Sequence, residues 1–372
     1  MFNRIIIIGS NHHNTFSMVK SFGRAGYTVD VLVFGCNSSY ISQSKYVNHI
    51  CFLMSLDQLL EKLLEYNDVS KPIIVSCADG VSQLLDEHYN ELYTKFHFFN
   101  CGEQGRLTHY LNKKVQTAIA EQTCLTVPHT IVYTPNYIPD FYPCLLKPVE
   151  STKGGKHIEI CHDREEFREK ITDFSNHTSV LVQSFIEREE EIVIVGLSLG
   201  EEVIIPNGFI HKIRESAGGT SYSKVCKFEE EQNILATRCK KMVRSMNYVG
   251  LFGVEFIKSQ DGTYYFIEIN LRNDATTFSF VVAGVNLPLI YAMCCDGKSP
   301  LNFSLDVKEL FSIVDFRDLE NAMHMNVSFG KWLREYKKAE CKYFKDNDDK
   351  RPYRMCLKSF IVAHVLHKLR LK

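Results

Sequence analysis

Two carboxylates sit in the middle of two very apolar runs, and that placement narrows what this chain can fold into. The first run is Gly253 to Ile257, with Glu255 at its centre. A charged turn follows at Asp261-Gly262, and a second run, Tyr264 to Asn273, carries Glu268, Asn270 and Arg272. The pattern predicts two strands joined by a hairpin. A lone acid in such a strand is costly to desolvate. Asn270 lies two residues beyond Glu268, and so on the same face, with Arg272 next along that face. Two acids and an amide oxygen make a ligand set for a hard cation such as Mg²⁺, which takes its other ligands from water and phosphate. The bland alternative is the solvated face of an edge hairpin. Against it, Phe266, Ile267 and Ile269 give the second strand no other polar relief.

The start of the chain sets a different rhythm. Ile5 to Ile8 reads as a buried strand ending at Gly9-Ser10, followed by a helical pattern through Phe16, Val19, Phe22 and Ala25. Tyr27 to Phe34 reads as a second strand. Strand and helix signals then alternate at Leu56–Tyr66, Pro72–Val75 and Gly80–Tyr89. This rhythm predicts a parallel sheet with right-handed crossovers, half of a doubly wound fold. The loop from Gly9 to Asn14 is not a full dinucleotide fingerprint. It reads as a tight turn with His12 and His13 at the carboxyl edge of the sheet, where open α/β folds meet their ligands.

Residues 107 to 128 read as one helix carrying Lys113-Lys114. Residues 141 to 200 carry strands, a glycine turn and a helix, and residues 201 to 280 are strand-rich around a helix at Gln232–Met246. Lys147-Pro148 ends one strand, and Ser151-Thr152-Lys153-Gly154-Gly155-Lys156 follows. Such loops let backbone N–H groups approach phosphate while lysines neutralise it. Solvated turn lysines are the alternative. Gln183-Ser184-Phe185-Ile186 leads into an acidic stretch, Glu187 to Glu191. It reads as a hinge that can present an adenine edge and a ribose acceptor, or as a charged solvated turn.

In this order the pieces resemble the ATP-grasp superfamily, in its carboxylate–amine ligase and carbamoyl-phosphate-synthase-like branch. The resemblance covers roughly residues 1 to 295, and Glu255 with Glu268-Ile269-Asn270-Leu271-Arg272 is its most specific part. It implies an α/β and α+β architecture: a Rossmann-like N-terminal domain over 1–105, a small ATP-grasp subdomain with a linker helix over 106–195, a large subdomain over 196–300 and an extension over 301–372. By position, Lys113 and Lys147 would bind ATP phosphates, under a lid made by Gly154 and Gly155. Gln183, Ser184, Phe185 and Ile186 would line the adenine, with Glu190 on the ribose. Glu255, Glu268 and Asn270 would hold one or two Mg²⁺ ions, with Mn²⁺ able to replace them. Arg272 would stabilise an acyl phosphate or tetrahedral intermediate, and Lys212 and Arg214 would act as catalytic phosphate or substrate contacts. Gly218-Gly219-Thr220-Ser221 would be a mobile substrate loop.

The resemblance implies a ligase that makes an acyl phosphate, joins it to an amine and releases ADP and phosphate. A nucleotide-binding or regulatory protein on the same scaffold is the other reading, and a thiol or hydroxyl acceptor a third. Where many relatives have a small glycine-rich turn after Arg272, this chain has Asn273-Asp274-Ala275-Thr276-Thr277. That segment is expected to meet the acceptor. The stretch Ala283 to Pro288 resembles members associated with surface-polysaccharide or peptidoglycan chemistry. The expected partners are small-molecule or carrier-linked carboxylates and amines, and a second copy of the chain in a homodimer.

Composition bounds the rest. A net charge of −1 over 372 residues gives no basic field for nucleic acid. Thirteen cysteines, without a zinc-type cluster, read as reduced thiols of a cytoplasmic protein. No apolar stretch reaches the ~18 residues a membrane span needs. The tail from Arg351 to Lys372 has six Lys/Arg and no acid. It reads as a docked helix with lysines in solvent, or as an amphipathic helix on an anionic membrane surface.

Overall fold

The computed structural model describes residues 4–66, 70–149, 158–174, 179–216, 219–300 and 303–370. The chain opens with a four-stranded parallel sheet in the order β3-β2-β1-β4, formed by β1 (Ile5–Ser10), β2 (Val29–Phe34), β3 (Val47–Leu53) and β4 (Ile73–Ser76). Helix α1 (His13–Arg24) crosses from β1 to β2, α2 (Asp57–Leu64) links β3 to β4, and α3 (Asp79–Glu87) and α4 (Tyr89–Leu92) follow. Ile5 and Ile7 enter one core and Ile6 and Ile8 another, on opposite faces of the sheet. A strand buried on both faces has to be apolar throughout, which is why this run shows no alternation.

The expected helix over 107–128 is two helices, α5 (Arg106–Tyr110) and α6 (Lys113–Gln122). Asn112 breaks it: its Oδ1 accepts from the Lys114 and Val115 N–H groups, at 3.0 and 3.4 Å. That cap puts Lys113 at the first position of α6.

A second four-stranded sheet, in the order β5-β8-β6-β7, contains β5 (Thr130–Val132), β6 (Cys144–Pro148), β7 (Glu159–Cys161) and β8 (Val180–Ser184). With α7 (Arg164–Lys170) it encloses a core of its own around Leu146, Phe167 and Val182. The large sheet runs β14-β13-β9-β11-β12-β15-β16, with β10 beside β9. Its strands are β9 (Arg188–Leu199), β10 (Val203–Ile204), β11 (Gly208–Ser216), β12 (Gly219–Lys227), β13 (Val249–Ser259), β14 (Tyr264–Asn270), β15 (Leu310–Ile313) and β16 (Cys341–Lys342). Helices α8 (Glu230–Ser245), α9 (Thr277–Val282) and α10 (Leu287–Cys295) pack into its core.

Two expected limits move. The one between residues 195 and 196 runs through the middle of β9, where Ile192 to Leu197 pair with β13 without a break. The segment after 301 is not a separate extension, because β15 and β16 complete the large sheet. Helices α11 (Asp315–His324), α12 (Phe329–Lys338) and α13 (Lys350–Arg370) also belong to it. The segment returns to the N-terminal domain, where buried Lys20 donates to the Tyr343 carbonyl at 2.5 Å and Arg24 pairs with Asp346 at 2.6 Å. In α13, Tyr353 and Phe360 pack on Phe316 of α11, with centroids 5.2 and 5.3 Å away. Among the described residues no helix is long and apolar enough to cross a membrane.

The N-terminal sheet and the large sheet share one continuous core. Gly250 lies on that seam with φ 145°. A Cβ there would meet the Phe99 ring and the Tyr248 hydroxyl at 2.6 Å. Gly250→Ala is expected to cost about 2–4 kcal/mol of stability through strain and overpacking. Chemical denaturation checks this, with an unchanged midpoint counting against a rigid seam.

Candidate active site

The β13–β14 hairpin places Glu255 directly opposite Glu268, and Gly253 opposite Asn270. Like charges on one rung repel, so each carboxylate needs a counter-charge. Lys212, from β11, pairs with Glu255 at 2.6 Å. Lys113, from α6, pairs with Glu268 at 3.3 Å. Asn270 Nδ2 donates to the second Glu255 oxygen at 3.0 Å, and its own Oδ1 accepts from Arg272 Nη2 at 3.0 Å. Arg272 Nε in turn donates to Asp79, in the first turn of α3, at 2.8 Å. Gly253 is fitted to this corner: a Cβ there would lie 3.0 Å from the Asp274 side chain.

Burial by itself pushes the Glu255 carboxyl up, but Lys212, Arg272 and the Asn270 amide outweigh it and hold it below the usual carboxylate range. Lys212 is the counterpart. Burial pushes it down, and Glu255 and Glu191 more than reverse this, so it stays charged. Burial likewise opposes the Arg272 charge, and Asp79, Asp274 and Glu268 secure it. The donor set fits Mg²⁺: two hard carboxylates and an amide oxygen, each acid already facing a cation. Among the described residues, no group of three or more His, Cys, Asp or Glu is placed to hold a metal ion. A cation here would draw its remaining ligands from water and phosphate.

Lys147 reaches the same cleft from the small sheet. It is 6% exposed, and its Nζ donates to Gln183 Oε1 at 2.9 Å. Gln183 is fixed in turn by Thr130 Oγ1, at 2.7 Å. Burial and the nearby Lys113 charge lower Lys147 to about 8, while Glu268 acts the other way. Ser184 N–H donates to the His129 carbonyl and Phe185 N–H to the Pro143 carbonyl, at 2.8 and 3.0 Å. Ile186 follows in the connection to β9. Glu190 accepts from the Tyr264 hydroxyl at 2.9 Å and faces Lys258 at 3.6 Å and His211 at 3.8 Å.

Residues 123–279 match the family model for the ATP-grasp domain. The chain carries an ATP-grasp domain. It is 28% identical over 159 residues to the carbamoyl phosphate synthase large chain of Rhodopirellula baltica, matching 40% of this chain and 14% of that protein. It therefore spans about a seventh of the length of that relative. It is 23% identical over 316 residues to the D-aspartate ligase of Enterococcus faecium, covering 76% of this chain and 74% of that one. Its fold superposes on the L-amino acid ligase of Bacillus licheniformis with a TM-score of 0.66 at 15% identity, over 84% of this chain and 80% of the other.

The matched stretch of the ATP-grasp domain holds Lys147, Gln183, Glu190, Lys212, Glu255, Glu268, Asn270 and Arg272, while Lys113 lies ten residues ahead of it. Gly154, Gly155 and Gly218 lie outside the described residues. Arg214 does not join the cleft. Ile213 is an extra residue in β11 between the Lys212–Ser223 and Arg214–Tyr222 pairs, and this bulge breaks the alternation. Arg214 is 4% exposed, gripped by Asp318 at 2.8 and 2.9 Å and by Glu335 at 2.9 Å. Trp332 Nε1 and Ser221 Oγ also donate to Asp318, so this arginine organises the buried corner under α11 and α12.

The segment after Arg272 is also a correction. Asn273, Asp274, Thr276 and Thr277 are buried. Asn273 N–H donates to the Ser76 carbonyl at 3.0 Å, Asn14 Nδ2 donates to the Asn273 carbonyl at 3.0 Å, and Asp274 accepts from Thr276. These groups clasp the N-terminal sheet instead of facing an acceptor. Two contributors escaped the sequence reading. Glu191 pairs with Lys212 and with Arg188, and alternation along β9 was its available signal, since Glu190 points the other way. Asp79 had no local signal, because its partner is 193 residues away.

Lys212→Met would leave Glu255 buried without its cation. The variant is expected to lose about 3–5 kcal/mol at neutral pH. Glu255 is held low in the native protein, so its pairing stabilises above the unfolded carboxylate value and fades on acidification. In the variant that carboxyl rises and protonates readily. The gap in melting temperature between the two proteins is therefore expected to narrow toward pH ~4. Melting curves across pH check this; a constant gap would refute the pairing.

Proposed function

We propose that this chain is an ATP-dependent carboxylate–amine ligase working at the cleft around Glu255 and Glu268. One observation carries the reading. Lys113, Lys147, Lys212 and Arg272 converge on two opposed carboxylates and an amide inside an ATP-grasp domain. The likeness to D-aspartate ligase over three quarters of the chain supports amino acids among the substrates.

In this reading Lys113 and Lys147 bind the ATP phosphates, with Gln183 holding Lys147 in place. Gln183 to Ile186 line the adenine and Glu190 takes the ribose. Glu255, Glu268 and Asn270 would hold Mg²⁺, which would supply charge neutralisation for phosphoryl transfer. A substrate carboxylate attacks the γ-phosphorus, ADP leaves, and an amine then displaces phosphate from the acyl phosphate. Arg272, fixed between Asp79 and Asn270, stabilises the oxyanion that develops as the amine adds. Lys212 shares the charge on the same side. This chemistry needs positioning and electrostatics and no nucleophilic side chain. Reliance on ATP fits a cytoplasmic site of action.

ADP and phosphate release from Mg²⁺-ATP tests the reading, with pooled amino acids crossed against pooled small carboxylates and sugar acids. Release that needs both pools is expected. ATP binding without release under any pool would favour the non-catalytic reading. Glu268→Gln is expected to keep its fold and lose turnover by about a hundredfold or more; near-native rates in that variant would remove Glu268 from the metal set. Lys147, lowered to about 8, should take up a proton when phosphate arrives above that pH. Calorimetry of ATP binding in buffers of different ionisation enthalpy at pH ~8.5 reads this uptake directly. No buffer dependence would separate Lys147 from the phosphates.

A further inference from the structure

The carboxyl edge of β1 holds a hydrogen-bond conflict that the ligase reading does not use. A neutral imidazole has one ring nitrogen that accepts and one that donates. Donors approach both nitrogens of His12. The Asn14 N–H is directed at Nδ1 from 3.2 Å, as the cap of α1. Arg317 Nη1, from the first turn of α11, stands 2.8 Å from Nε2. Only one of the two can be accepted. Whichever nitrogen carries the hydrogen, one of the two contacts is N–H against N–H. In the tautomer that keeps the cap of α1, that contact is the one between Nε2–H and Arg317.

Protonating the ring makes matters worse, since a second N–H would add charge beside Arg317. Burial, Arg317 and Arg272 accordingly lower His12 to about 4. Among the described residues no carboxylate makes an ion pair with Arg317; its interaction with Glu320 is a longer-range one, and burial pushes the guanidinium down. The Tyr40 hydroxyl, within Arg317's electrostatic reach, is buried and has no hydrogen-bond partner among the described residues. What relieves this corner is an anionic oxygen that accepts from Nε2–H and the guanidinium together.

The corner adjoins the cleft. Asn14, two residues after His12, donates to the Asn273 carbonyl, and Asn273 follows Arg272. His12 and Arg317 are both only partly buried, so a ligand can reach them.

We propose that His12 and Arg317 form an anion subsite for a carboxylate or phosphoryl group of the substrate, separate from the carboxylate activated near Arg272. The word substrate rests on the ligase reading; the anion site does not. It makes the preferred substrate one with an additional negative group at the end that meets the N-terminal domain.

Melting temperatures of the full chain, titrated with malonate, inorganic phosphate and chloride at constant ionic strength, test the subsite without turnover. Saturable stabilisation by malonate or phosphate, absent with chloride, is expected. Arg317→Met should raise the half-saturating concentration about tenfold or more. His12→Asn keeps a capping oxygen for α1 and removes Nε2, and should weaken the anion likewise. Saturation at lower malonate than phosphate assigns a carboxylate, and the reverse a phosphoryl group. No saturable effect in the native chain, or one equal in native chain and both variants, overturns the proposal. Anion binding without ADP release would keep the subsite and discard the ligase; ADP release with no such binding would do the opposite.

Discussion

Everything in the cleft answers to one electrostatic problem: Glu255 and Glu268 face each other across a single rung of an antiparallel hairpin. Burial works against the charge on Glu255, and Glu268 sets a second negative charge beside it. Help comes from far along the chain, with Lys212 on β11, Lys113 on α6, Asn270 on the same hairpin and Arg272 tied to Asp79 in the N-terminal domain. A buried ion pair is weak evidence for stability, because apolar replacements of similar volume often do as well. Acids retained in these strands, each with a lysine partly exposed toward the cleft, suit a site where cations and phosphates exchange places.

The cores divide the cleft unequally. The N-terminal sheet and the large sheet share one hydrophobic cluster, which fixes Glu255, Glu268, Arg272 and Asp79 relative to one another. Lys147 and Gln183 stand on the small sheet, whose cluster around Leu146 and Phe167 is its own. Elements with separate cores are free to shift against each other as bodies. Two lysines of the cleft thus come from both sides of a joint, Lys113 from one and Lys147 from the other. Both carry positive charge, and their mutual repulsion contributes to lowering Lys147.

Local pattern carried much of this into view. The all-apolar Ile5–Ile8 strand, the hairpin with its two acids, and the strand ending at Lys147-Pro148 are each written in a few adjacent residues. What the pattern missed depended on single residues that interrupt a period or on partners far away. Asn112 splits a helix whose apolar spacing runs straight through it. Ile213 shifts β11 by one residue and sends Arg214 to Asp318, although spacing put it beside Lys212. The strand β9 crosses the boundary that the family resemblance implied, because an acidic start and an apolar end belong to one continuous pairing with β13. Asp79 and Arg317 act across 193 and 305 residues, and no window of sequence contains both members of either pair.

The polar stretch after Arg272 shows how such long contacts fix one side chain in place. A glycine-rich turn there would leave the arginine held by its own strand alone. Instead Asn273 bonds β4 through its N–H and α1 through its carbonyl, and Ser82 of α3 reaches the Leu271 carbonyl at 3.2 Å. Arg272 is thereby clamped by backbone on both sides, and its guanidinium is held by Asp79 and Asn270. A long side chain normally gives up about 1.5–2 kcal/mol of rotamer freedom when it is fixed. Here folding has already imposed that cost, so the guanidinium is held in one place before any ligand arrives. The same clasp brings the carboxyl edge of β1 against the end of the hairpin. The N-terminal domain is therefore part of the cleft's wall, and its contacts set where Arg272 stands.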